Sequence, residues 1–149
     1  MDRSGFPFGL TGHEMLNLSA FFAYASQPDE AARTIRIALE RLRDTYRLDV
    51  HGWEQNDIAG RFLVDPILAQ IDEKPLLIAD ISRPNFNVTY EIGYAIGKQR
   101  RVVLVRNKTI ATEEETIREL GVFDTLGYLQ YANADELTLS LRELALNPA

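Results

Sequence analysis

The stretch "PLLIADIS" (75–82) is an almost uninterrupted apolar run that ends on Asp80 and Ser82. A strand of that composition has no polar face to show to water. It fits the middle of a parallel sheet, with helices covering both sides. The flanking sequence supplies them. "DIAGRFLVDPILAQIDEK" before it sets Ile58, Phe62, Ile67 and Ile71 roughly on one helical face, with Asp65 as cap and Pro66 opening a fresh segment. After it, a loop rich in Asn, Ser and Pro leads into a helix from about Val88 to Gln99, with Asn87 as the cap.

The same alternation runs through the chain. "SAFFAYAS" (19–26) reads as a buried strand. "DEAARTIRIALERLRDTY" places Ile35, Ala38, Leu39, Leu42 and Tyr46 at helical spacing behind an Asp29 cap. "RLDVHGW" (47–53), "RVVLVRN" (101–107) and "LGYLQYA" (126–132) read as strands; 112–121 and 134–146 read as helices. Five strand–helix repeats predict an α/β fold of three layers: a five-stranded parallel sheet in the flavodoxin-like order 2-1-3-4-5, with helices on both faces. Ligands of such sheets bind outside the carboxyl ends of the strands, where the strand order reverses. Here that crevice lies between "YASQ" (24–27) and "ADIS" (79–82). Residues 19–149 are expected to form this one domain and residues 1–18 a loose N-terminal arm.

Composition excludes several function classes. The chain has 149 residues and no cysteine, so disulfides, thiolate metal sites and a Cys nucleophile are ruled out. A formal net charge of −6, with "KQRR" as the densest basic group, argues against binding a nucleic-acid backbone. No apolar run reaches the ~18 residues of a membrane span. The arm lacks the apolar core of a secretory signal, and a cytoplasmic location is the expectation. Neither a dinucleotide fingerprint, nor a P-loop, nor metal-ligand spacing occurs, and His13 and His51 stand apart from any partner pattern.

The polar residues at the crevice carry the candidate chemistry. Glu91, near the start of its helix, is placed where the helix dipole would keep a carboxylate ionised at neutral pH. It could serve as a nucleophile, or stabilise positive charge developing on a sugar. The plain alternative is an acidic residue that only helps the helix to start. Asp80 could pair with it as an acid/base or substrate-binding partner, or could close an Asx-turn. Ser82, Asn85 and Asn87 are common loop residues, and also donors and acceptors suited to a ribose or phosphate. Tyr24 and Trp53 stand at strand ends, where a ring can stack on a base or merely cover the core. Gly93 and Gly97, four apart on the helix, are expected to allow close packing against the sheet.

"IADISRPNFNVTYEIGYAIGKQRRVVLV" resembles the signature of nucleoside 2-deoxyribosyltransferase-like proteins and their TIR-like relatives. In that group a strand ending in Asp-x-Ser or Thr precedes an N-x-N-V-x-Y-E-x-G-x-A helix. "FFAYAS" and "GRFLVDPILAQIDEKPLLIAD" extend the likeness loosely over residues 19–107. The first strand lacks the Gly-rich beginning of deoxyribosyltransferases. The loop "WEQNDIAG" departs from the TIR pattern.

The resemblance implies cleavage of an N-glycosidic bond, with NAD as a substrate rather than a cofactor and no other cofactor. Transfer or hydrolysis of a deoxynucleoside is the alternative. Glu91 would be the catalytic glutamate and Asp80 its helper. Tyr24, Ser26, Trp53, Ser82, Asn85, Asn87 and Tyr90 would bind substrate. A nucleotide or nucleoside partner and self-association are also implied, while a nucleotide-sensing module without chemistry is the reading from another class.

Overall fold

The structure is a computed structural model that describes residues 17–53, 64–83, 85–110 and 127–146. The elements run β1 (Ser19–Ala23), α1 (Asp29–Asp44), β2 (Asp49–Gly52), α2 (Val64–Glu73), β3 (Leu76–Asp80), α3 (Phe86–Gly97), β4 (Arg101–Asn107), β5 (Leu129–Tyr131) and α4 (Ala134–Leu146). The expected helix over 112–121 and the N-terminal arm up to residue 16 lie outside the described residues.

All strand pairs are parallel, in the order β2-β1-β3-β4-β5. This is the α/β architecture that the alternation predicts. The central strand is β3, and all five of its residues are buried. Because strand side chains alternate between faces, β3 feeds two cores. Leu76 and Ile78 join Ala20, Phe22, Val50, Leu39, Leu42, Leu137 and Leu141 beneath α1 and α4. Leu77 and Ala79 join Phe21, Leu104, Ile71, Val88 and Ile92 beneath α2 and α3. The sheet is thus covered on both sides, which is what its apolar central strand requires.

Local signals explain most element boundaries. In α1, Ile35, Ala38, Leu39 and Leu42 are buried as their spacing predicts. Its cap is Pro28 rather than Asp29, which occupies the first helical position with Glu30 beside it. There both acids favour the positive end of the helix dipole without accepting a capping bond. Helix α2 begins at Val64, one residue ahead of the expected Asp65 cap. Helix α3 begins at Phe86 and its cap is Asn85, whose side chain accepts the Val88 amide at 2.9 Å. The sequence offers two asparagines two residues apart, and the structure uses the first.

Gly93 and Gly97 do not serve close packing. Both are exposed, and a Cβ at either would meet nothing within 4 Å. The residues of α3 that face the sheet side are Val88, Glu91, Ile92 and Ala95. The two glycines lie off that face. Among the described residues, no helix is long and apolar enough to cross a membrane.

Candidate active site

Strand order reverses between β1 and β3, where Ala23 stands in register with Ala79, one residue before the end of β3 at Asp80. Beyond those ends the chain opens into a cavity of about 160 Å³ lined by Tyr24, Ser26, Trp53, Ile67, Asn85, Asn87, Val88 and Glu91. They come from four places in the chain. Tyr24 and Ser26 follow β1, Trp53 follows β2, Ile67 lies on α2, and the last four open α3. Six of the nine residues proposed from sequence therefore meet: Tyr24, Ser26, Trp53, Asn85, Asn87 and Glu91.

The carboxylate is the electrostatic centre of this cavity. Glu91 is 7% exposed, and among the described residues nothing pairs or hydrogen-bonds with its carboxylate. With Asn85 as cap, Glu91 occupies the sixth helical position, in the second turn, and no acidic residue stands in the first. The dipole effect fades within one turn. Burial consequently dominates and raises the Glu91 pKa from 4.5 to about 7. The expectation of a dipole-stabilised, fully ionised carboxylate is thereby corrected: the group is poised between its two forms near neutral pH. An acid tuned in this way is characteristic of catalytic sites.

The rest of the described lining carries no charged side chain. The Tyr24 ring packs against Phe22 at 5.9 Å and against Trp53 at 6.0 Å between centroids, making an aromatic wall. Asn85 spends its side-chain oxygen on the Val88 amide, which leaves its NH2 group as a donor at the mouth. Ser26 and Asn87 are exposed beside it. Ile67 and Val88 complete the lining with apolar surface, and sequence reading passed over both. The signal for Val88 is its position three residues after Asn85; that for Ile67 is its place just after Pro66.

Three proposed residues do not reach the cavity. Tyr90 points outward and is 56% exposed. Asp80 and Ser82 are buried at the β3 exit but lie outside the lining. The Tyr131 hydroxyl donates to Asp80 Oδ2 at 2.5 Å, and the Ser82 amide donates to Oδ1 at 3.0 Å. Burial raises the Asp80 pKa, against the lowering effect of bonds from Tyr131 and Ser82. Burial, followed by the Asp80 charge, also raises that of Tyr131.

A larger hollow of about 430 Å³ lies between α1 and α4, lined by Arg41, Thr45, Tyr46, Asp135, Thr138 and Leu139. It is on the flank of the sheet, away from the strand ends. Its charges, Arg41 and Asp135, satisfy each other in an exposed ion pair. No cluster of three or more His, Cys, Asp or Glu able to hold a metal occurs among the described residues.

Comparison with solved structures places this geometry among known folds. The CMP N-glycosidase BcmB of Clostridium botulinum superposes with a TM-score of 0.56 at 19% identity, over 83% of this chain and 98% of that one. The two chains share a fold. A conserved protein from Enterococcus faecalis V583 gives a TM-score of 0.54 at 15% identity, over 85% and 98% of the two chains. No protein-family model and no curated protein matches the sequence. At these identities the likeness is one of fold alone.

Proposed function

We propose that this protein cleaves the N-glycosidic bond of a nucleotide, with Glu91 facing the anomeric carbon. The observation that carries the reading is a buried carboxylate, without a partner among the described residues, in a cavity at the strand-order reversal walled by Tyr24 and Trp53. As the bond between C1′ and the base nitrogen breaks, its electron pair leaves with the base. The ionised Glu91 offsets the positive charge that grows on C1′, and then forms an ester to it. Water attacks C1′, the carboxylate is released, and the water proton passes to solvent. The aromatic wall holds the base, while Ser26, Asn85 and Asn87 offer hydrogen bonds to the sugar.

NAD is the first substrate to test. A neutral base needs a proton to leave well, but the described lining holds no carboxylic acid besides Glu91. The nicotinamide of NAD is already a cation and departs neutral without an acid. A bound cation would also favour the ionised form of Glu91. A second reading, a pyrimidine mononucleotide, is favoured by the fold likeness to a CMP N-glycosidase and by the cavity volume of about 160 Å³. That is below the ~300 Å³ at which ligand pockets commonly begin. It suits a sugar with one ring better than a whole dinucleotide. Chromatography of base released from NAD, from CMP and from deoxynucleosides separates the two. Release of nicotinamide supports the first reading; release of cytosine alone supports the second. No release from any of them refutes both.

A further inference from the structure

Asp80 stands next to the active-site loop, yet its carboxylate belongs to the other side of the sheet. Along β3, Leu76 and Ile78 face the core under α1 and α4, whereas Leu77 and Ala79 face the core under α2 and α3. Asp80 follows the first set by alternation. Its partner Tyr131, 1% exposed, lies in that same core. Glu91 is carried by α3 on the opposite side.

Both Asp80 oxygens are engaged, Oδ2 by the Tyr131 hydroxyl and Oδ1 by the Ser82 amide. Ser82 Oγ in turn accepts the Asn107 amide at 2.7 Å, and the Ile81 amide donates to the Val105 carbonyl at 2.9 Å. The exit of β3 is thus tied to the ends of both β4 and β5. Asp80, Ser82, Asn107 and Tyr131 are each no more than 6% exposed. Buried networks satisfied to this degree rigidify the backbone they join. The cap Asn85 follows Ser82 by three positions, which span at most roughly 10 Å. Wherever Ser82 is held, the first turn of α3 is confined as well, and the helix carries that constraint to Glu91 in the second turn.

The structure assigns Asp80 and Tyr131 to a latch. They are positioning residues that fix the β3–α3 loop, and so the aim of Glu91, without touching substrate. The part of this inference that concerns turnover rests on the function proposed above. The part that concerns the loop does not.

Hydrogen exchange and kinetics on Tyr131→Phe, Asp80→Asn and the double variant test it. Each single variant should speed exchange at the Ser82, Val88 and Thr89 amides about tenfold, the effect of losing one buried bond to a charged group. The α1 amides should keep their protection. The double variant should add little, because both changes break one unit. Misplacement of Glu91 by about 1 Å should lower kcat by up to about a hundredfold in all three variants. KM should stay within about twofold, and the pH midpoint of the rate should not move.

Unchanged exchange at those three amides overturns the latch. So does an Asp80→Asn variant that erases a limb of the pH profile, or that loses far more activity than Tyr131→Phe, since Asp80 would then act at the reacting atoms. If Asp80→Asn does not fold, Tyr131→Phe alone carries the exchange test. If the wild-type protein releases no base from any nucleotide, the functional reading fails and exchange still decides the latch.

Discussion

Replacing Glu91 with glutamine should change the way stability depends on pH. The folded protein binds a proton at Glu91 with a pKa of about 7, against 4.5 for an unburied glutamate. Between those values the folded state holds a proton that the unfolded chain has released, so stability falls as pH rises. The contribution is fully present below about pH 4.5 and is gone above about pH 7. Its span is about 3 kcal/mol, at 1.36 kcal/mol for each pH unit between the two values. Glutamine keeps the shape and cannot ionise. Its buried amide adds a cost of about 1–3 kcal/mol if unbonded, but that cost does not vary with pH. The quantity to measure is the stability of Glu91→Gln minus that of wild type, from urea denaturation at pH 4 and at pH 8. It should grow by about 3 kcal/mol from the lower to the higher pH, whatever its absolute value. All other titrating groups are common to both proteins and cancel. A difference that stays within about 0.5 kcal/mol across this range would refute the burial argument, because a carboxylate that reaches water has no such penalty.

Three further outcomes follow from the same geometry. With Glu91 reactive only when ionised, kcat/KM should rise with pH to a plateau, with an apparent midpoint near the value of about 7 that burial gives it; a rate profile flat from pH 5 to 9 would remove it from the chemistry. Trp53→Ala should weaken nucleotide binding about tenfold or more in a calorimetric titration, the effect of losing one base-stacking ring. Gly93→Ala should stabilise the protein by about 0.5–1 kcal/mol in thermal or urea melts, since a helical Cβ at that position meets open space.

Much of the fold was legible because it rests on periodicity. The expected strand over 101–107 and helix over 134–146 coincide with β4 and α4 residue for residue. A fully apolar central strand and regular alternation leave few arrangements that bury both faces. The cavity was legible too, since topology sends the ends of β1 and β3 to one place. What escaped depends on three-dimensional detail. Asn85 and Asn87 are equal as caps in sequence, and choosing Asn85 moves Glu91 into the second turn. Its ionisation is set by burial, which a one-dimensional pattern does not contain. Pairing of Asp80 with Tyr131 joins residues 51 positions apart and has no local signal. A glycine inside a helix suggests close packing, yet Gly93 and Gly97 face solvent instead.

The proposed activity needs a buried glutamate at the strand-order reversal to break an N-glycosidic bond. A single-turnover assay tests it most directly: excess wild-type protein, or excess Glu91→Gln, with NAD and separately with CMP, scored by chromatography for free base. The wild type should release base from at least one of the two. Glu91→Gln should bind the same nucleotide and release base at least about a thousandfold more slowly, in keeping with the loss of a covalent nucleophile. Equal release by both proteins, or none by the wild type while it binds the nucleotide, would rule out Glu91 as the group that breaks the bond.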